Sequence, residues 1–234
     1  MKLEFTVGSE TYKVPDFIDV ATFEKAIVWN LDDLRNLKPF VATIVGCPLS
    51  AVTVIDEDVL AFITGVCLQR IQLQNAIAHP EIEGDTLIDL DTLTFGQFID
   101  LDTLISGGAG ENLSKIISIL YSSTQSKVNK WPVADVWGAL QQVAELRSNI
   151  YKEYDEFFEL SDDVQDEDGP APNIQLMWWE AIMALTGDDF LKIHQVVERP
   201  YKEALNYLTW KKARVQKEKL QQLKQKNDIQ RRTR

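Results

Sequence analysis

Two cysteines and two histidines are all that 234 residues offer for thiol or imidazole chemistry, and their placement excludes most of what those side chains do. Cys47 and Cys67 are separated by a predicted helix and fit no metal-ligand spacing, so buried free thiols are expected rather than a disulfide or a site. His79 precedes Pro80 in a loop, and His194 stands on a predicted helix among apolar neighbours, the setting of a structural histidine. There is no G-x-S-x-G, no H-E-x-x-H and no paired Cys-His arrangement. Long apolar runs are also missing: Phe40 to Val45 falls far short of the roughly 18 residues that span a bilayer, and MKLEFTVGSE lacks a signal peptide's apolar core. A soluble, cytoplasmic chain with no membrane partner is therefore expected. Gly107-Gly108-Ala109-Gly110 is followed by no Gly-Lys-Ser/Thr, and no G-x-G-x-x-G follows a strand, so it reads as a helix–helix connection and not a phosphate loop.

Charge is present but unevenly spread. After Trp210, ten lysines and arginines face only Glu218 and Asp228, a balance of +8, which leaves −20 for residues 1–210 out of the chain's net −12. An acidic body repels phosphates, so nucleic-acid binding is not expected unless residues 211–234 alone perform it. Between Asp155 and Asp168 eight residues are acidic, ending in DEDGPAPN. Neither this run nor DLDTLTFGQFIDLD has the order of a calcium loop, so a solvated linker is the reading and no metal site or other cofactor is expected. Asp100 and Asp102, like Asp89 and Asp91, are two residues apart. On a helix such residues point in different directions, and on a strand they share a face.

The apolar pattern predicts a mainly α protein with a small N-terminal β-hairpin, packed as one or two compact globules. KLEFTVGSETYKVP alternates around a turn, with Leu3, Phe5 and Val7 on one face and Tyr12 and Val14 returning. From Asp19 the spacing becomes three and four: Val20, Phe23 and Ile27, then Leu31, Leu34 and Leu37 after a break near Trp29 and Asn30. Gly46 closes the next helix, and Asp56 is an N-cap for one carrying Val59, Leu60, Ile63, Val66 and Leu68. Thr94 caps a helix through Phe95, Phe98 and Ile99, and Val136, Leu140, Val143, Leu146, Ile150 and Tyr154 mark a long core-facing stripe from Pro132. Trp178, Ile182 and Leu185 form another. The last helix begins at Pro200 with Ala204, Leu205, Leu208 and Val215, and then becomes too polar to have a core of its own. These segments divide the chain into 1–80, 84–160, an acidic and proline-bearing linker at 161–173, and 174–234.

Three segments, LTFGQFIDLDTLI, ENLSKIISILY and WWEAIMALTGDDFLKIHQVVERPYKEALNYLTWKKARVQKE, resemble proteins encoded in the tail and baseplate gene clusters of tailed bacteriophages, T4-like phages and their relatives among them. YKVPDFIDVATFEKAI and LKPFVATIVGCPLSAV are similar to the start of such proteins. The resemblance implies a non-enzymatic assembly factor, a tail assembly chaperone in the cytoplasm of the infected host that binds phage tail or baseplate proteins; an oligomer is compatible with it. It also implies a place for LTFGQFIDLDTLI: Phe95, Phe98, Ile99 and Leu104 would pack on the ENLSKIISILY helix while Asp100 and Asp102 face outward to a partner. The second partner-binding candidate is the basic helix, through Lys211, Lys212, Arg214, Val215, Lys217, Leu220 and Leu223. Alternatives are a structural virion component of the baseplate or neck, with the virion tail as its location, and, in another class, a phage enzyme whose acidic pairs hold a divalent metal.

Overall fold

Residues 3–27, 36–71, 77–158 and 173–232 are described by the structure, a computed structural model. Glu4–Val7 (β1) and Glu10–Lys13 (β2) pair antiparallel with Phe5 opposite Tyr12. Leu3, Phe5, Val7 and Tyr12 are half-buried while Glu4 and Thr6 are exposed, the alternation a one-sided hairpin requires. The helices that follow are α1 (Val20–Ala26), α2 (Leu37–Val45), α3 (Leu49–Thr53) and α4 (Glu57–Ile71). A second two-stranded ribbon, Glu81–Ile82 (β3) with Asp85–Thr86 (β4), precedes α5 (Phe95–Ser106), α6 (Leu113–Leu120), α7 (Gln125–Val128), α8 (Val133–Glu153) and α9 (Asp155–Phe158). Then come α10 (Ile174–Thr186), α11 (Ile193–Val197) and α12 (Tyr201–Arg232). The fold is mainly α with a small N-terminal β-hairpin, and none of the described helices is long and apolar enough to cross a membrane. The expected break at Trp29 and Asn30, Leu31, Leu34 and the acidic segment 161–172 lie outside the described residues.

Helix ends are set within a few residues of chain. Asp19 accepts a hydrogen bond from the Thr22 amide at 2.7 Å, and Asn173 accepts from the Gln175 and Leu176 amides, each satisfying donors the first turn leaves unpaired. Thr94 and Gln97 form a reciprocal capping box: the Gln97 amide donates to Thr94 Oγ1 at 3.2 Å and the Thr94 amide to Gln97 Oε1 at 3.0 Å. Gly46 ends α2 at φ +72°, where a side chain would be strained, and Gly187 caps α10.

The chain forms two compact units, each assembled from separated stretches: residues 1–88 with 104–145, and residues 89–103 with 146–234. The expected segment 84–160 therefore contributes to both. In the first unit α2 packs on α1, α3 and α4, and α6 packs on α1 and α7, around Phe23, Phe40, Val41, Ile63, Ile116 and Trp131. The buried side of α4 is Leu60, Ile63, Thr64 and Cys67, whereas Val59 and Leu68, expected inward, are 47% and 45% exposed. The reason is that α4 carries apolar residues nearly all round, so spacing does not select which face meets α2. Both cysteines are buried and unpaired, and burial raises the thiol pKa of Cys67 to about 11. The small ribbon is tied down by Lys127, whose Nζ is 2.8 Å from Asp85 and holds that carboxyl below the usual carboxylate range, and by Trp131 Nε1, which donates to Glu83 at 3.0 Å. Gly138 on α8 allows a close approach of the chain: a Cβ there would stand 2.2 Å from the Ala78 nitrogen.

Candidate functional site

The second unit is organised by one indole. α5 places Phe95 and Phe98 edge-on to Trp178, each with ring centroids 5.8 Å away, and Phe98 stacks on Tyr201 at 5.2 Å. Such ring pairs add about 0.5–1.5 kcal/mol each beyond the area they bury. Two backbone hydrogen bonds fasten the start of α5 to the start of α12, from the Phe95 amide to the Arg199 carbonyl at 2.7 Å and from the Tyr201 amide to the Leu93 carbonyl at 3.2 Å. Phe95 and Phe98, expected to form a packing face on α5, surround Trp178.

Asp102 also turns inward, against the expectation of a partner-facing edge. It lies on the same side of α5 as Phe95 and Phe98, three and four residues being one helical turn, and its side chain is fully buried. Arg147 Nε donates to Oδ1 at 2.6 Å, Trp178 Nε1 donates to Oδ2 at 2.7 Å, and the Tyr151 hydroxyl donates to both oxygens at 3.1 and 3.2 Å. Burial works against the charge of Arg147, but the hydrogen bond and the charge of Asp102 outweigh it and raise its pKa. Burial, and then the charge of Asp102, pushes Tyr151 up to about 12, so the phenol keeps the proton it donates. The carboxylate is fully buried and already accepts from three donors on α8 and α10, so this arrangement is a fastening between α5, α8 and α10. Asp100, two residues away, is exposed.

The remaining candidates lie along α12. Its first three turns bury Tyr201, Ala204, Leu205 and Leu208. Beyond Trp210 the same face continues as lysines and Val215. Lys211 Nζ donates to the Ala184 carbonyl at 2.7 Å and Lys212 Nζ to the Phe157 carbonyl at 3.3 Å, where cations meet the unpaired carbonyls that end α10 and α9. Arg214 pairs with Glu218 at 2.9 Å and stands 5.6 Å over Trp210. Val215, Leu220 and Leu223 are 42%, 59% and 56% exposed, and Lys217 is exposed. Between α10 and α12 lies an open groove of about 390 Å³ with Met177, Ala181, Ala184 and Val215 on its floor and Lys211, Lys212 and Lys219 on its rim beside Glu180. The spacing of α12 announced the basic face; the groove needs α10 beside it and had no signal in the sequence.

The residues of enzymatic interest are dispersed. His194, expected among apolar neighbours, is instead exposed, 3.2 Å from Glu198, because its helix buries only part of Ile193, Val196 and Val197. His79 Nε2 lies 4.0 Å from Asp135 at the surface. Asp91 pairs with Lys202 at 2.6 Å, and Asp89 caps the short turn that precedes α5. Among the described residues no group of three or more histidines, cysteines or carboxylates could hold a metal ion. Asn112, just after the glycine run, donates to the Leu104 and Gly108 carbonyls, which is the work of a helix connection. Compared with protein-family models, curated proteins and solved structures, the chain matches none.

Proposed function

We propose that this chain is a non-enzymatic protein–protein interaction factor that assists assembly of a bacteriophage tail or baseplate in the cytoplasm of the infected host. The observation that carries the reading is α12: a helix of 32 residues whose root is buried and whose described side chains beyond Lys212 are exposed, with Val215, Leu220 and Leu223 among them. A polar helix of this length gains little from isolated hydrogen bonding, so a partner surface is what its apolar positions lack. The resemblance of the LTFGQFIDLDTLI, ENLSKIISILY and WWEAIMALTGDD segments to tail-cluster proteins supplies the setting.

The test is capture from phage-infected cells with the full chain and with a chain ending at Trp210, alongside analysis of mature virions. Capture of identified tail proteins by the full chain only, with the protein absent from virions, is the expected result. Presence in virions at fixed copy number would make it a structural component. No tail protein captured and none of this chain in virions would overturn the proposal.

A further inference from the structure

The root of α12 and its exposed continuation share one face, and the groove lies where that face leaves the core. Tyr201, Leu208 and Val215 are seven residues apart and align along the helix, and Lys212, Lys219 and Leu223 fall beside them at helical spacing. On the core side of this line the facing surface is supplied by α10 through Ala181 and Ala184. Small side chains there keep the groove open next to Leu208 and Val215.

We infer that the α10–α12 groove is a docking site for an acidic amphipathic helix of a partner protein, which lays its apolar stripe on Met177, Ala181, Ala184 and Val215 and its carboxylates against Lys212 and Lys219. The inference rests on the interaction reading proposed above and names the surface and the chemistry of the ligand. Charge complementarity selects the occupant: three lysines stand against one glutamate on the rim, on a segment that carries +8 after Trp210. Lys211 and Lys212 are already anchored to helix-terminal carbonyls, so their charges are held at the rim with less rotamer freedom to lose on binding. A groove of about 390 Å³ with apolar side chains in its lining favours aliphatic side chains over a nucleic-acid backbone, whose phosphates would meet the lysines and leave the apolar lining wet. The same lining is what an amphipathic helix needs at its i, i+3 and i+4 positions.

The experiment uses a fluorescein-labelled, N-acetylated peptide of three Leu-Glu-Glu-Leu-Ala-Glu-Ala repeats, a scrambled peptide of the same composition, and a single-stranded oligonucleotide of similar charge. Anisotropy titrations are run with the full chain and with Lys219→Glu, Val215→Asp and Lys224→Glu; Lys224 lies on the opposite side of α12. Saturable binding of the amphipathic peptide is expected, weakened about tenfold by Lys219→Glu and by Val215→Asp but no more than about threefold by Lys224→Glu. All three sites are exposed, so the variants keep their melting temperature, which circular dichroism checks. Equal losses for Lys219→Glu and Lys224→Glu, or equal affinity for the scrambled peptide or the oligonucleotide, would overturn the groove in favour of bulk charge. Peptide binding on the groove face together with failure to capture tail proteins would uphold the docking site and remove the phage setting.

Discussion

α12 is two different structures on one continuous helix. From Tyr201 to Leu208 the core-facing positions are Tyr, Ala, Leu and Leu, and all are buried, with Tyr201 stacked on Phe98 of the Trp178 cluster. From Lys211 onward the same positions are mostly Lys and Gln around Val215 and Leu223, and apart from the groove that Lys211, Lys212, Val215 and Lys219 line with α10, the described side chains face solvent. Backbone geometry does not change at Trp210. What changes is the free energy of burying the face: a Leu removed from water contributes about 1.5–3 kcal/mol, whereas a lysine ammonium in the same place would cost several. The root is therefore a stability element, and the projection is available for recognition.

The strongest way to break this contrast is to remove what the root packs on. Asp102→Ala should lower the unfolding free energy by about 3–5 kcal/mol, because it leaves Arg147 and the Trp178 indole N–H without their acceptor in a buried site; urea denaturation reads it. Next, Leu205→Ala, at a position with no exposure, should cost about 2–5 kcal/mol, while Val215→Ala on the projection should stay within about 0.5 kcal/mol. Comparable losses at both positions would mean the projection is part of the core. Ending the chain after Trp210 should cost about 1 kcal/mol, since the lysine caps on Ala184 and Phe157, the Arg214 contact over Trp210 and the partly covered Val215 go, yet it should reduce the helical circular dichroism signal visibly.

A further effect is expected in alkaline solution. Folded Tyr151 keeps its proton up to about 12, while an unfolded phenol releases it near about 10. Between those values the folded state binds more protons than the unfolded one, so stability falls as pH rises. Tyr121, also pushed up to about 12, and Cys67, at about 11, act in the same direction in the other unit. Tyr151→Phe should flatten part of this decline in denaturation midpoints between pH 9 and about 11.5, and a midpoint profile identical to that of the unaltered chain would remove Tyr151 from the account.

Much of the helix framework was legible because its signals are short-range. Asp19, Thr94 with Gln97, Gly46 and Gly187 act on amides or carbonyls a few residues away. Of the stripe Val136, Leu140, Val143, Leu146, Ile150 and Tyr154, all are buried as the spacing requires except Leu146, which is half-buried. α4 was harder to read: with Val59, Phe62 and Leu68 on other sides of a helix whose core face is Leu60, Ile63 and Cys67, only packing on α2 chose between them. The β3–β4 ribbon of two residues per strand is too short to leave a period.

The sequence by itself determined the main helices with their capped ends, which of them carry a single apolar face, and that a basic, apolar-poor segment follows Trp210, because caps, helical spacing and net charge depend on near neighbours alone; the short α3 and α7 and the break between α8 and α9 left no such signal. Only the tertiary structure decided that Asp102 is a buried fastening and Asp100 a surface residue, and that Ala181 and Ala184 stand beside Val215 to form a groove. The partners that settle the fate of Asp102, Arg147 and Trp178, lie 45 and 76 residues further along the chain. No local pattern specifies a hydrogen bond at that distance; it forms when three helices close around the carboxylate, and its strength there comes from the exclusion of water.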